Sequence, residues 1–137
     1  SMLIAVIDGQ GGGVGKSIIE AILPLASQHS IIALGTNSLA TAAMLKAGAH
    51  LGASGENAII HNVKRADLII GPMGILTANS LLGELTEKMV AAIGASPAEK
   101  ILIPTSRCGI HVVGTEEKSF SQLLSLTVKK VAQLLNK

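Results

Sequence analysis

The sequence predicts a three-layer α/β sandwich with a mainly parallel sheet of four or five strands. Short apolar runs alternate with amphipathic stretches along the chain. Hydrophobic residues make up 48% of the chain and aromatic residues only 1%. A core of Ile, Leu, Val, Ala and Met suits helices that cover both faces of a buried parallel sheet. We expect one domain over residues 2–137.

The first predicted unit is a strand over Leu3–Asp8, followed by a glycine-rich turn and a helix over Val14–Gln28. Pro24 should kink this helix or end its first part, because proline lacks the N–H that a helix needs. A second buried strand is expected at Ser30–Leu34. It leads to a short helix over residues 38–46, which Ser38 can cap.

The middle of the chain is expected to continue this alternation. We interpret residues 49–55 as a loop and Glu56–Arg65 as a helix. Residues 58–60 could form a strand instead, but this would leave too short a crossover to the third strand, Asp67–Gly71. The spacing of apolar residues predicts a further helix over Ser80–Ile93.

The last third of the chain completes the sandwich. A fourth strand is predicted at Lys100–Pro104, and Ile110–Val113 is a candidate fifth strand or hairpin partner. Apolar residues from Phe120 to Leu135 follow the spacing of an amphipathic closing helix.

Composition excludes several classes of function. The net charge is +2 and the basic residues are dispersed; together with the scarcity of aromatic rings, this argues against nucleic-acid binding. No apolar run approaches the length of a membrane span. Cys108 is the only cysteine, which favours a cytoplasmic location, and neither it nor the four histidines show metal-ligand spacing. A chain this short and apolar is also expected to form a homo-oligomer, most simply a homodimer.

The glycine-rich turn indicates a phosphate ligand. Residues 9–17 read Gly-Gln-Gly-Gly-Gly-Val-Gly-Lys-Ser and connect a strand to a helix, so backbone N–H groups can approach a phosphate closely. A P-loop is one interpretation, since Gly15-Lys16-Ser17 matches the end of that motif. However, Gln10 occupies the place of its first glycine, and no Asp ends a second apolar strand to hold Mg²⁺.

The spacing of Gly9, Gly13 and Gly15 resembles the first turn of the short-chain dehydrogenase/reductase family. That resemblance implies that these glycines bind the pyrophosphate of NAD or NADP. Asp8 stands where the family usually has a hydroxyl residue. The family's catalysis relies on a Tyr, and this chain contains none, so that chemistry is excluded and no catalytic residue can be named.

Over its whole length the chain resembles a small bacterial family catalogued only as a domain of unknown function. This resemblance assigns no activity. The segments that carry it are the glycine loop, Ala33–Asn37, Ala40–Ala49, Gly55–Ala58, Gly71–Ile75 and Gly83–Thr86.

The candidate site lies where the parallel strands end, because ligands of open α/β sheets bind beyond the carboxyl ends of the strands. Backbone N–H groups from Gly12 to Lys16 should bind phosphate, residues after the second strand should contact ribose, and Arg107 should pair with a phosphate. Glu56, Asn57, Asn79 and Glu84 are interpreted as helix-start residues, with a ligand-facing role as the alternative. The full set of predicted cofactor-binding residues is Gly9, Gln10, Gly11, Gly12, Gly13, Val14, Gly15, Lys16, Thr36, Asn37, Gly71, Pro72 and Arg107.

The sequence therefore predicts a Rossmann-like domain that binds a small-molecule nucleotide, with NAD or NADP as the expected cofactor. Such a domain serves as a nucleotide sensor or regulatory unit, or as a minimal oxidoreductase. The alternative is a P-loop-like NTPase or phosphotransferase that uses Gly15-Lys16-Ser17.

Overall fold

The computed structural model describes residues 1–105 and 109–136. Within these ranges, strands and helices alternate from the first strand to the last. The strands are β1 (Leu3–Asp8), β2 (Ser30–Gly35), β3 (Leu51–Ser54), β4 (Leu68–Pro72) and β5 (Glu99–Ile103). The helices are α1 (Gly13–Ile22), α2 (Ser38–Lys46), α3 (Glu56–Val63), α4 (Glu87–Ala95) and α5 (Phe120–Leu135).

The described strands form one parallel sheet in the order β3-β2-β1-β4-β5. β1 lies at the centre, with Ile4 opposite Ile31 of β2 on one side and opposite Leu68 of β4 on the other. The chain runs outward from β1 to β3, crosses back through α3, and then runs outward again from β4 to β5. The direction therefore reverses between β1 and β4, which is where such sheets form a binding crevice.

Two apolar layers cover the two faces of the sheet. Side chains of α1, α2 and α5 pack on one face, and side chains of α3 and α4 pack on the other, so the predicted three-layer, Rossmann-like sandwich is confirmed. The first layer includes Ile18, Ile22, Met44 and Val131, and the second includes Ile59, Val63, Met89 and Ile93. In the described part of the chain, no helix is both long and apolar enough to cross a membrane.

The prediction of a loop over residues 49–55 is wrong, because this segment contains β3. Residues 32–35 of β2 pair with Leu51–Ser54 in parallel register. The Ser54 hydroxyl also lies 2.7 Å from the Thr41 hydroxyl of α2. β3 is an edge strand with mostly exposed residues, so it carries no apolar pattern, and pairing with β2 makes it a strand.

The predicted helix over Ser80–Ile93 is wrong in its first half. α4 begins only at Glu87, after Thr86, whose hydroxyl accepts a hydrogen bond from the Met89 N–H at 3.1 Å. Leu81 and Leu82 adopt left-handed φ values of 54° and 57°, which a helix does not permit. Their apolar spacing therefore imitates a helix that this backbone does not form.

Three smaller points concern the end of α1, the cap of α2 and residues 110–113. α1 stops at Ile22, and Pro24 lies in a 3₁₀ turn over Leu23–Leu25, as expected for a residue that ends a helix. Asn37 rather than Ser38 caps α2, since its Oδ1 accepts the Ala40 N–H at 2.9 Å. Residues 110–113 form no strand.

Candidate functional site

The glycine-rich turn folds tightly between β1 and α1. The Gly12 N–H donates to the Gly9 carbonyl at 2.9 Å, and the Lys16 N–H donates to the Gly12 carbonyl at 2.8 Å. Gly12 has a φ of 73°, and a Cβ there would lie 2.8 Å from the Ala40 carbonyl oxygen of α2. Both backbone conformation and packing therefore require glycine at position 12.

Asp8 is a buried side chain that accepts hydrogen bonds from both ends of the turn. Its side chain is only 4% exposed, and its two carboxylate oxygens accept the Gly9 N–H at 2.8 Å and the Gly15 N–H at 2.7 Å. Burial raises the pKa of Asp8, the Glu84 charge adds to this effect, and hydrogen bonds from the loop partly oppose it. Asp8 thus makes the polar contacts that hold the turn on the first turn of α1.

Gly11 and Gly13 differ from the other glycines of the turn. A Cβ at either position would meet no atom within 4 Å, and neither residue has a left-handed φ. Among the described residues, neither backbone N–H has a hydrogen-bond partner. Neither packing nor backbone conformation therefore requires glycine at positions 11 and 13, and both leave a donor available.

A cavity of about 760 Å³ lies over this turn. It extends from the loop past the carboxyl ends of β4 and β5 to the start of α5. Its walls combine apolar side chains with a few polar and charged ones. The lining residues are Asp8, Gly9, Gln10, Gly11, Gly12, Gly13, Val14, Pro72, Leu81, Pro104, Thr105, Ile110, His111, Val112, Thr115, Glu116, Lys118, Phe120 and Leu123.

The predicted site residues fall into three groups. Residues 9–14 and Pro72 line the cavity. The remaining described ones, Gly15, Lys16, Thr36, Asn37 and Gly71, do not line it. Gly15 instead packs α1 on Met44, and Lys16 is exposed on α1. Arg107 lies outside the described residues, as does Cys108.

The residues after β2 contact a carboxylate of the chain itself. Glu84 Oε1 accepts hydrogen bonds from Thr36 Oγ1 at 2.5 Å, from the Gln10 N–H at 2.8 Å and from Asn37 Nδ2 at 2.9 Å. Asn37 Nδ2 also donates to the Gln10 carbonyl at 3.0 Å. The hydrogen bond from Thr36 is the main cause that lowers the pKa of Glu84, and the Gln10 and Asn37 bonds add to it.

Sequence reasoning favoured a helix start for Glu84, with a ligand-facing role as the alternative, and missed its contacts with Gln10, Thr36 and Asn37. Glu84 precedes the cap of α4 and lies in the connection between β4 and α4. Its partners are 48 and 74 residues away in sequence, so no local spacing signals these contacts. Glu56 does begin α3 as predicted, and its Oε2 accepts a hydrogen bond from the Thr86 hydroxyl at 2.7 Å.

The far wall of the cavity was also missed. His111, Thr115, Glu116 and Lys118 come from the turns before α5, where the sequence shows neither a motif nor a periodic pattern. Among them, the imidazole of His111 and the ammonium group of Lys118 line the cavity together with the glycine loop. The described residues contain no group of three or more His, Cys, Asp or Glu side chains that could hold a metal ion.

A parallel sheet that reverses direction beside a glycine-rich strand–turn–helix defines the Rossmann-like class of α/β proteins. The chain belongs to the family described as "Domain of unknown function (DUF3842)", whose profile matches residues 3–136. No curated protein matches the chain.

Two solved structures have similar folds. A dodecameric FMN-dependent UbiX-like decarboxylase from Escherichia coli O157:H7 is 15% identical, with a TM-score of 0.51; the match covers 98% of this chain and 94% of the decarboxylase. A variant of the imine reductase from Myxococcus stipitatus, in complex with NAD⁺, is 19% identical, with a TM-score of 0.45. That match covers 75% of this chain, which spans only 32% of the imine reductase chain.

Proposed function

We propose that this protein binds a nucleotide cofactor of the NAD(P) class, with its phosphates over Gly11 and Gly13. One observation carries the proposal: these two glycines line the cavity, although neither packing nor backbone conformation requires them. Glycine at such a position leaves room for a ligand to approach the backbone. Neither N–H has a partner within residues 1–105 and 109–136, and Gly13 begins α1, where the helix dipole favours an anion.

The shape of the cavity supports a ligand of this size. Its volume of about 760 Å³ falls within the range of about 300–1,000 Å³ that is usual for small-molecule sites. Leu81, Val112 and Phe120 provide apolar surface for a ring, while His111 and Lys118 can contact polar groups. The cavity also lies beside the crevice between β1 and β4, where sheets of this topology bind nucleotides.

In this proposal the protein binds the cofactor and acts as a sensor, a regulatory unit or a minimal oxidoreductase. The absence of Tyr removes the acid–base group of the family that the glycine spacing resembles. The P-loop alternative is less well supported. Lys16 is exposed and does not line the cavity, and β4 ends at Pro72 rather than at an Asp that could hold Mg²⁺.

The direct test is a titration of the purified protein with NADH, NADPH, FMN, ATP and GTP, each with and without Mg²⁺. Because the chain has no Trp or Tyr, NADH and NADPH fluorescence can be followed with little protein background. FMN is included because the similar decarboxylase is FMN-dependent. Saturable binding of NADH or NADPH without Mg²⁺ is the expected result, and Mg²⁺-dependent ATP or GTP binding would instead support the P-loop interpretation.

Two matched variants locate the site. Gly13→Val places a branched side chain in the cavity, whereas Gly94→Val makes the same change on the exposed side of α4. We expect Gly13→Val to abolish saturable binding and Gly94→Val to retain it. If no nucleotide binds at millimolar concentration, or if the two variants bind equally well, the proposal is wrong.

A further inference from the structure

The carboxylate of Glu84 lies on the β2 side of the glycine turn. Thr36 directly follows β2, and its N–H donates to the Asp8 carbonyl at the end of β1 at 3.0 Å. A Cβ on Gly9 would lie 2.8 Å from Glu84 Oε1, so this carboxylate covers the first glycine of the turn. The cavity is lined by Pro72 and Pro104, at the ends of β4 and β5, and not by Glu84. A dinucleotide whose phosphates lie over the turn would extend into both regions.

Hydrogen bonds fix one carboxylate oxygen of Glu84 and leave the other without a partner among the described residues. Its Oε1 is fixed by a hydroxyl, a backbone N–H and an amide, all of which are neutral donors. Among the described residues, Oε2 has no hydrogen-bond partner, and the side chain is only half-buried. Glutamate is ordinarily ionised at neutral pH, and the lowered pKa extends this ionised state to more acidic pH. The result is a fixed negative acceptor at the carboxyl end of β2.

We infer that Glu84 makes the site specific for a nucleotide whose ribose carries free hydroxyls, and that it excludes a ribose 2′-phosphate. A ribose hydroxyl can donate to Oε2, as acidic side chains at the end of the second strand do in dinucleotide-binding folds. A 2′-phosphate has no comparable donor and adds about −1.5 to −2 charges beside the carboxylate. Among the described residues, no Lys or Arg pairs with Glu84 to offset that charge. The inference rests on the proposed function and selects NAD over NADP within it.

The acidic group at the end of β2 comes from a different part of the chain, which only the folded structure reveals. Thr36 and Asn37, the residues that follow β2, are neutral, so the strand itself provides no acidic group. The carboxylate is instead supplied by the connection between β4 and α4. The left-handed residues Leu81 and Leu82 in this connection, together with Gly83 at φ 90°, turn the backbone so that it can reach β2.

The test compares NADH and NADPH dissociation constants for the wild-type protein, Glu84→Gln and Glu20→Gln. Glutamine keeps the size of Glu84 and an acceptor oxygen but removes the charge. Glu20 is exposed on α1, so its variant controls for net charge alone. We expect wild type and Glu20→Gln to prefer NADH by about tenfold or more, and this ratio to fall by about tenfold in Glu84→Gln.

The possible outcomes distinguish a failure of the proposed function from a failure of the inference about Glu84. If the wild-type protein binds neither nucleotide, the proposed function fails. If wild type binds NADH and NADPH equally well, the inference fails while the proposed function stands, and this result does not depend on how any variant folds. If Glu84→Gln weakens NADH and NADPH binding equally, the ratio of the two dissociation constants does not change. That result indicates a purely structural role for Glu84 and overturns the inference.

Discussion

Replacing Gly13 by alanine should make the protein more stable and its nucleotide complex weaker. Gly13 is the first residue of α1, and an added Cβ would meet no atom within 4 Å. Glycine costs a helix about 0.5–1 kcal/mol relative to alanine, mostly through the entropy of the unfolded chain. We therefore expect a gain of about 0.5 kcal/mol at this terminal position, or roughly 1–2 °C in Tm for a chain of this size.

The effect on binding should have the opposite sign. The new methyl group would occupy the space that the proposal assigns to phosphate, and such overpacking costs about 1–3 kcal/mol. Kd should then rise about 5- to 150-fold. Thermal denaturation by circular dichroism measures the first effect, and NADH fluorescence titration measures the second.

Gly94→Ala is the matched control for this experiment. Its Cβ would lie 3.9 Å from the nearest atom, Leu76 Cδ2, which is an ordinary contact. This variant should also become more stable, but its affinity should not change. A lower Tm for Gly13→Ala would show that the fold itself requires this glycine. Equal affinities in the two variants would show that a ligand does not use the open space at Gly13, and either result would contradict the prediction.

Two further predictions concern the turn itself. Burial raises the pKa of Asp8 above its ordinary value of 3.8. Protonated Asp8 therefore stabilises the folded state, fully so below pH 3.8, and this stabilisation is lost as the pH rises through the raised pKa. Urea denaturation across this range should show the corresponding fall in wild type but not in Asp8→Asn, and parallel curves would contradict the assignment. A Cβ on Gly15 would lie 2.5 Å from Met44 Sδ, so Gly15→Ala should lose about 1–3 kcal/mol of stability. Adding Met44→Ala should cost less in that background than in wild type, and strict additivity of the two changes would argue against this contact.

The fold class was predictable because its strongest signals are local. β1, β2 and β4 are nearly continuous apolar runs that end at the turn residues of the sheet's carboxyl edge. Their side chains are buried on both faces, as a parallel sheet between two helical layers requires. β3 gave no such signal, since Leu51 is its only large apolar residue and is itself half-exposed. Its strand conformation depends on the neighbouring edge of β2, which only the folded chain provides.

The candidate site was predictable on one side only. The glycine turn is contiguous in sequence, so its spacing could be compared with known phosphate-binding turns. The contacts of Glu84 depend instead on an irregular connection that repeats the apolar spacing of a helix. Leu81 is oriented toward Gly9 and the cavity rather than along a helix face, because its backbone is left-handed. Tertiary contact overrides local propensity at this point, and no single-sequence pattern reports it.

The distance in sequence between Glu84 and its partners also has a kinetic consequence. Contacts that span 48 and 74 residues close large loops, and the entropy of that closure delays them during folding. If these contacts form after the folding transition state, a nucleotide held by Glu84 and the glycine turn strengthens late interactions. Such interactions slow unfolding without accelerating folding. The cofactor would then lengthen the lifetime of the native protein while leaving the rate of its formation unchanged.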